Sequence, residues 1–253
     1  MSSLKVQGNW GKGIKNATFG ELFGSAFSDG NPDLKPERAT TWDLGTEATF
    51  ADQRVLFAFA YFDADYRDQI AFKSTGRGLD GKPDFINIAG SEARGMEMEG
   101  RLQRPVAGLT MSANYTFTET EVTATTSTSQ QFQPGQPLLR RPKHQGNVNV
   151  TWQHRGARVS ANVRRVGERH DSSFLFLTTL PQPGFPSGRS TDITVNPGYT
   201  LFGMNAEYRM VPGLAIYLRA DNLTDERYDS ALGFPGLPRA IAVGARVKVG
   251  GRR

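Results

Sequence analysis

Histidine, serine and carboxylate side chains are the parts from which a hydrolytic centre is assembled. This sequence of 253 residues sets them side by side once, at His170-Asp171-Ser172-Ser173. A serine nucleophile needs a base within hydrogen-bond reach and a third group to orient that base. Neighbours along an extended segment point to opposite faces, so these residues do not converge. The other two histidines, His144 and His154, lie at the two ends of one alternating segment, too far apart at about 3.4 Å per residue to cooperate. There is no cysteine, which removes disulfides, thiolate zinc clusters and thiol nucleophiles. Asp80, Gly81 and Asp84 share a connection but lack the spacing of a calcium loop and read better as a turn. Asn222 opens an Asn-x-Thr triplet that matters only in a secreted eukaryotic chain. With no phosphate-cradling glycine loop either, no catalysis, cofactor or bound metal is expected, and the His170-Asp171 stretch reads as a solvated loop edge.

Lysine and arginine total 30 against 25 aspartate and glutamate, a net charge of +5. The basic residues are dispersed, with short clusters at Arg140-Arg141 and Arg164-Arg165 and no basic stripe interleaved with aromatics, so no nucleic-acid partner is expected. Hydrophobic residues make up 38%. That suits a soluble protein, but it also suits a membrane barrel, in which only one face of each strand meets lipid. The longest apolar run, 55–62, is far shorter than the roughly 18 residues a helix needs to cross a bilayer. The start, Met1-Ser2-Ser3-Leu4-Lys5, lacks the basic-then-apolar order of a signal peptide.

The elements that must position these residues announce themselves by strict alternation. In 109–118, Leu109, Met111, Ala113, Tyr115 and Phe117 share one face, and Thr110, Ser112, Asn114, Thr116 and Thr118 share the other. In 145–153, Val148, Val150 and Trp152 oppose Asn147, Asn149 and Thr151. Further copies at 42–50, 96–103, 157–164, 202–209, 214–221 and 241–249, a weaker one at 4–10 and an ambiguous one at 55–67 bring the expected strands to about ten. The connections alternate in length. Short ones at 51–54, 104–108, 155–156 and 211–213 separate long ones at 14–39, 71–84, 124–142, 171–197 and 224–238, which are rich in Gly, Pro, Ser, Asn and Asp. Outer-membrane barrels have short periplasmic turns and long extracellular loops, which would put both ends of the chain on the periplasmic side. A soluble β-sandwich also alternates. The membrane reading gains from aromatics near strand ends on the apolar faces (Trp10, Trp42, Phe50, Tyr115, Phe117, Trp152, Phe202, Tyr208) and from charge on the opposite faces (Glu97, Glu99, Arg101, Arg158, Arg164, Glu207, Arg209, Arg219, Asp221, Arg246, Lys248).

Four ordered stretches carry a resemblance. GNPDLKPERATTWDLG from Gly30, WGKGIKNATFGELFG from Trp10, INIAGSEARGMEMEGRLQ from Ile86 and DNLTDERYDSALGFPGLPRAIAVGARVKV from Asp221 are similar to the second half of the barrel of TonB-dependent receptors. The resemblance spans nearly the whole chain. It implies an all-β fold: an antiparallel transmembrane β-barrel with about ten strands present, the C-terminal portion of a barrel of about 22 strands. It further implies one domain over 1–253, a Gram-negative outer membrane as the location, and uptake of an iron–siderophore chelate, cobalamin or similar nutrient. A passive porin-like or structural barrel is the alternative. The partners so implied are outer-membrane lipid, the nutrient chelate, a plug domain and further barrel strands not found in this sequence, and an inner-membrane energy-coupling complex acting through the plug. The chain also departs from the family in ending on Gly250-Gly251-Arg252-Arg253 rather than an aromatic residue.

Ligand contacts in such receptors come from plug and loops, and this chain supplies loops: Phe19, Phe23 and Phe27 in the first, Phe132 and Arg140 in the third, Phe174, Phe176 and Phe185 in the fourth, Phe234 in the fifth. The competing role for these aromatics is to pack the loops on one another. The motif residues Asn31, Pro32, Leu34, Lys35, Pro36 and Glu37 are expected to be architectural rather than ligand-binding.

Overall fold

A computed structural model describes residues 3–26, 28–72, 82–125, 133–171 and 194–248. Ten strands form one antiparallel sheet: β1 (Ser3–Lys15), β2 (Glu37–Phe50), β3 (Val55–Phe72), β4 (Phe85–Gln103), β5 (Leu109–Ala124), β6 (His144–His154), β7 (Ala157–Val166), β10 (Tyr199–Val211), β11 (Leu214–Asp221) and β14 (Ala240–Val247). Each pairs with the next in chain order, so the sheet is a pure meander. The long connections carry a five-residue helix, α1 (Phe19–Phe23), and two small hairpins, β8 (Arg169–Asp171) with β9 (Thr194–Asn196) and β12 (Asp229–Ala231) with β13 (Phe234–Pro235). At the opposite end the turns are tight. Arg155 and Gly156 both have positive φ, 43° and 87°, the twist that a two-residue hairpin needs and that glycine adopts without strain.

Register turns ten alternating strands into two continuous surfaces. Leu102, Met111, Val150, Ala161, Met204, Ala220 and Ile241 stand in one row across seven strands, and Trp152, Val159, Ala206, Leu218 and Val243 in the next. Across the other edge, Trp10 pairs with Trp42 and Leu44 with Tyr61. The ambiguous segment at the start of β3 resolves in the same way, with Phe57, Phe59 and Tyr61 on the apolar face and the small Ala58 and Ala60 behind them. The opposite surface is polar, with Glu97 and Glu99 followed by Asn114, Asn147, Asn149, Asn162 and Arg164 around an open concavity of about 700 Å³. Side-chain amides form a chain there: Asn147 on β6 donates across to Asn114 on β5 at 2.7 Å, and Asn149 donates along β6 to Asn147 at 2.7 Å.

None of the described residues covers the apolar surface. Trp10 is 68% exposed, Val243 77% and Tyr208 50%, whereas the buried apolar residues among those described are few, including Leu34, Val122, Val166 and Tyr199. A sandwich would hide such a face under a second sheet, and a water-soluble protein rarely leaves one of this extent bare. The face fits hydrocarbon. β1 and β14 stand at the two ends of the strand order and are not neighbours, so the sheet does not close into a narrow ten-strand barrel.

Candidate functional site

The long-loop end of the sheet carries most of the ordered non-strand structure, and hydrogen bonds between loops fix its shape. Helix α1 begins with a reciprocal cap: Glu21 N–H donates to Thr18 Oγ1 at 3.3 Å, and Thr18 N–H donates to Glu21 Oε2 at 2.6 Å. Burial alone would raise the Glu21 carboxyl. The two donors on Thr18 and the Lys15 ammonium, 3.8 Å away, outweigh it and hold the group below its usual range. Phe19 and Phe23, one turn apart on this helix, pack ring to ring at 4.7 Å yet stay 77% and 63% exposed.

The 31–37 motif ties this first loop to two strands further on. Asn31 N–H donates to Glu21 O, and its side chain donates to Phe85 O at 2.9 Å and accepts from Asp33 N–H at 3.1 Å. Lys35 exchanges two backbone bonds with the Asn87 amide, at 2.9 and 3.0 Å. Leu34 is buried, and Pro32 and Pro36 lie on the surface. Glu37 accepts from Ile70 N–H at 3.1 Å and from the Lys15 ammonium at 2.8 Å. Asp84, from the segment weighed for calcium, accepts from Asp29 N–H at 2.9 Å. Asp80 and Gly81 lie outside the described residues.

Loops three, four and five meet at a second knot. Asp171 is fully buried and accepts from Arg140 Nε at 2.8 Å and from Leu232 N–H at 2.7 Å. Arg140 N–H also donates to His170 O at 2.7 Å. Arg169, likewise buried, donates to the carbonyls of Asp229 and Ser230 and lies over the Tyr199 ring, itself packed against Tyr228 at 4.2 Å. Asp171 is therefore committed to an arginine and a backbone amide rather than set to orient a base. His144 and His154 do sit at opposite ends of β6. The His144 Nδ1 is 2.7 Å from the Tyr115 hydroxyl.

The structure thus brings Arg140 into the knot and leaves Phe234, 51% exposed, on the fifth-loop hairpin beside it, while Phe19 and Phe23 stand on the first loop. Phe27, Phe132, Phe174, Phe176 and Phe185 lie outside the described residues. Sequence reasoning read Asp171 as part of a solvated loop edge, whereas it is fully buried, and it passed over Arg169 and Asn87 as loop-fixing residues. Only the α1 cap had a local signal, a Thr followed three positions later by Glu.

Residues 2–223 match the family described as "TonB dependent receptor-like, beta-barrel". The chain belongs to this family. Its curated relatives include the iron-regulated outer membrane virulence protein of Vibrio cholerae serotype O1 (strain ATCC 39315 / El Tor Inaba N16961), 26% identical over 84% of this chain and 31% of that protein. The vitamin B12 transporter BtuB of Vibrio vulnificus is 26% identical over 87% of the chain and 30% of that protein. Among solved structures, the ferric-catecholate import receptor Fiu from E. coli K12 superposes with a TM-score of 0.69 over 98% of this chain and 33% of that one, at 19% identity. The copper transporter OprC gives 0.73 over 97% and 36%, at 15% identity. The chain therefore spans about a third of the length of the proteins it matches. As part of a TonB-dependent receptor barrel it lies in the outer membrane, with its bare apolar face against lipid.

Proposed function

We propose that the chain forms the wall and outer rim of a receptor that takes up a scarce nutrient, of the iron–siderophore or cobalamin kind, across the outer membrane. One observation carries the reading: a single sheet presents lipid with one face and a polar concavity with the other, and its loop end is locked by buried polar bonds into a fixed rim. Phe19, Phe23 and Phe234 stand exposed on that rim and offer flat apolar contacts to an incoming chelate. Phe27, Phe132, Phe174, Phe176 and Phe185 are proposed as further contacts. Arg140 and the 31–37 motif hold the loops in shape.

In the complete receptor the plug domain would fill the polar concavity and receive the inner-membrane energy-coupling complex. The chain itself does binding and transport rather than catalysis. The test is binding of labelled ferric-siderophore and cobalamin to cells producing the complete receptor. Replacing Phe19 and Phe23 together by Ala should weaken binding of the cognate nutrient by about ten-fold or more, since each ring stacked on a ligand contributes roughly 1 kcal/mol or a little less. Unchanged affinity for every nutrient bound would remove these residues from the site. Uptake that persists without cellular energy would favour the passive-channel alternative.

A further inference from the structure

Most strands of the sheet carry charge on their lumenal face, and one strip does not. Every lumen-facing residue of β5 from Thr110 to Thr118, and of β6 from Gln145 to Gln153, is an uncharged amide or hydroxyl. The strands on either side are charged at the same level: Glu97 and Glu99 on β4 stand beside Thr116 and Asn114, and Arg164 on β7 stands beside Asn147. Among the described residues no other two neighbouring strands share an uncharged lumenal face. β3 presents Ala58 and Ala60 there, but Glu47 on β2 and Glu97 on β4 stand next to them, and the alanines offer no hydrogen bonds. Within the strip the side chains answer one another, through the Asn149, Asn147 and Asn114 chain and through the Thr151 and Ser160 hydroxyls, 3.0 Å apart at its β7 border. Each amide has more donors and acceptors than that chain uses. The concavity of about 700 Å³ lies against the strip, and charged residues enter its lining only from other strands.

We infer that the β5–β6 strip is the seam between wall and plug along which the transported ligand passes, meeting Asn114, Asn147 and Asn149 with neutral hydroxyl, amide or carbonyl groups of its own. The inference rests on the nutrient-uptake reading above and deepens it. A passage must hold its cargo weakly and at several successive points, or the cargo does not leave. Charge-assisted hydrogen bonds are roughly twice as strong as neutral ones, so a plug seated on this wall is gripped at Glu97, Glu99 and Arg164 and rests lightly on the amides between them. Neutral amides and hydroxyls exchange one partner for another, water or cargo, at small net cost. Because alternate residues face the lumen, such groups recur at steps of roughly 7 Å along both strands, from the short-turn end toward the rim.

The test uses cells producing the complete receptor, with labelled ferric-siderophore and cobalamin as probes. Surface binding is read in energy-depleted cells and uptake in energised ones. N114W/N149W, which puts bulk into the strip, should bind the cognate nutrient as the parent does and take it up about ten-fold more slowly, because the diameter of a polar passage sets what it conducts. N114L/N149L keeps the size and removes the hydrogen bonds, and should slow uptake a few-fold with binding unchanged. N205W, as bulky and also lumenal but on β10 outside the strip, should leave both unchanged. Unchanged uptake by N114W/N149W, or equal slowing by N205W, would overturn the inference while the nutrient reading stood. If N114W/N149W lost surface binding as well, unchanged uptake by N114L/N149L would overturn it. So would entry of vancomycin into cells carrying N114W/N149W, since that would make the strip the seat that holds the plug. An unmodified receptor that took up neither nutrient would overturn the nutrient reading and this inference together.

Discussion

Asp171 illustrates what a single residue does at this rim. A fully buried carboxylate is costly unless it is met by charge and donors, and here Arg140 and the Leu232 amide meet it. Asp171→Ala removes one acceptor from Arg140 and the acceptor of the Leu232 N–H, and should loosen residues 229–235 by about 1 to 3 kcal/mol while leaving the ten-strand sheet intact. Faster hydrogen exchange at Leu232 with unchanged exchange in β6 is the expected result. Acid should act on the first loop in a related way. The Glu21 carboxyl titrates below its ordinary value of 4.5 in the folded loop, so its contribution is complete above about pH 4.5 and is lost as pH falls through the lower folded value. Protection of the Leu22 and Gly24 amides, taken relative to the intrinsic exchange rate at each pH, should hold from about pH 5 to 7 and fall as pH drops below 4.5. In Glu21→Gln that acid step should vanish. The two residues differ in how far the sequence betrays them. The Thr18–Glu21 cap spans three positions and has a readable signature, whereas the Asp171–Arg140 pair joins residues 31 apart and Asp171–Leu232 residues 61 apart. Such pairs exist only once the strands have set the loops side by side, and no local pattern encodes them.

At the scale of the element, alternation works because a strand between two solvents must alternate, and it fails where both faces meet the same solvent. The strand cores at 109–118, 145–153, 157–164 and 202–209 fall inside β5, β6, β7 and β10. But β3 runs on to Phe72, past the expected end at 67, and β4 starts at Phe85 rather than at 96. Beyond 67 the ladder skips Asp68, which has a positive φ of 56°, before resuming at Gln69, and on β4 Arg94 and Glu92 take the outward positions that Met98 and Met96 hold lower down, so the apolar period is lost although pairing continues to Phe72 and Phe85. The two-solvent argument has a direct test on β6, where Val150 faces outward beside Met111 and Ala161 while Asn149 faces inward beside Ser112 and Asn162. Val150→Arg should cost roughly 2 to 4 kcal/mol of barrel stability in the complete receptor, and Asn149→Arg much less. Equal losses in urea titrations of the two variants in lipid vesicles would mean that the faces share one solvent. Orientation can be read separately. Protease added to intact cells should cut within 76–82 or 182–189 of the long connections and spare the turn at 211–213, and the reverse pattern would invert the topology.

For the molecule as a whole, the two unpaired edges govern behaviour. β1 is a 13-residue strand and β14 an eight-residue one, and neither has a hydrogen-bonded neighbour on its outer side among the described residues. In hydrocarbon each unsatisfied backbone group costs several kcal/mol, so an open sheet of this kind cannot stand alone across a membrane. Closing the gap by joining β1 to β14 would require a far tighter cylinder, because barrel diameter grows with strand number. The sheet superposes on about a third of each much larger receptor chain, in keeping with the gentler curvature of a wide barrel. A narrow closure would also crowd Glu97, Glu99, Arg164, Glu207 and Arg246 into a lumen wide enough only for side chains, since about eight strands leave no channel and open pores appear near sixteen. Residues 1–253 produced alone should therefore form no barrel that resists SDS at room temperature. They should also support no energy-dependent uptake and give at most small, irregular conductance in planar bilayers. Large, steady, porin-like channels would contradict this, because they require the edges to find partners in further copies and complete a wide barrel of their own.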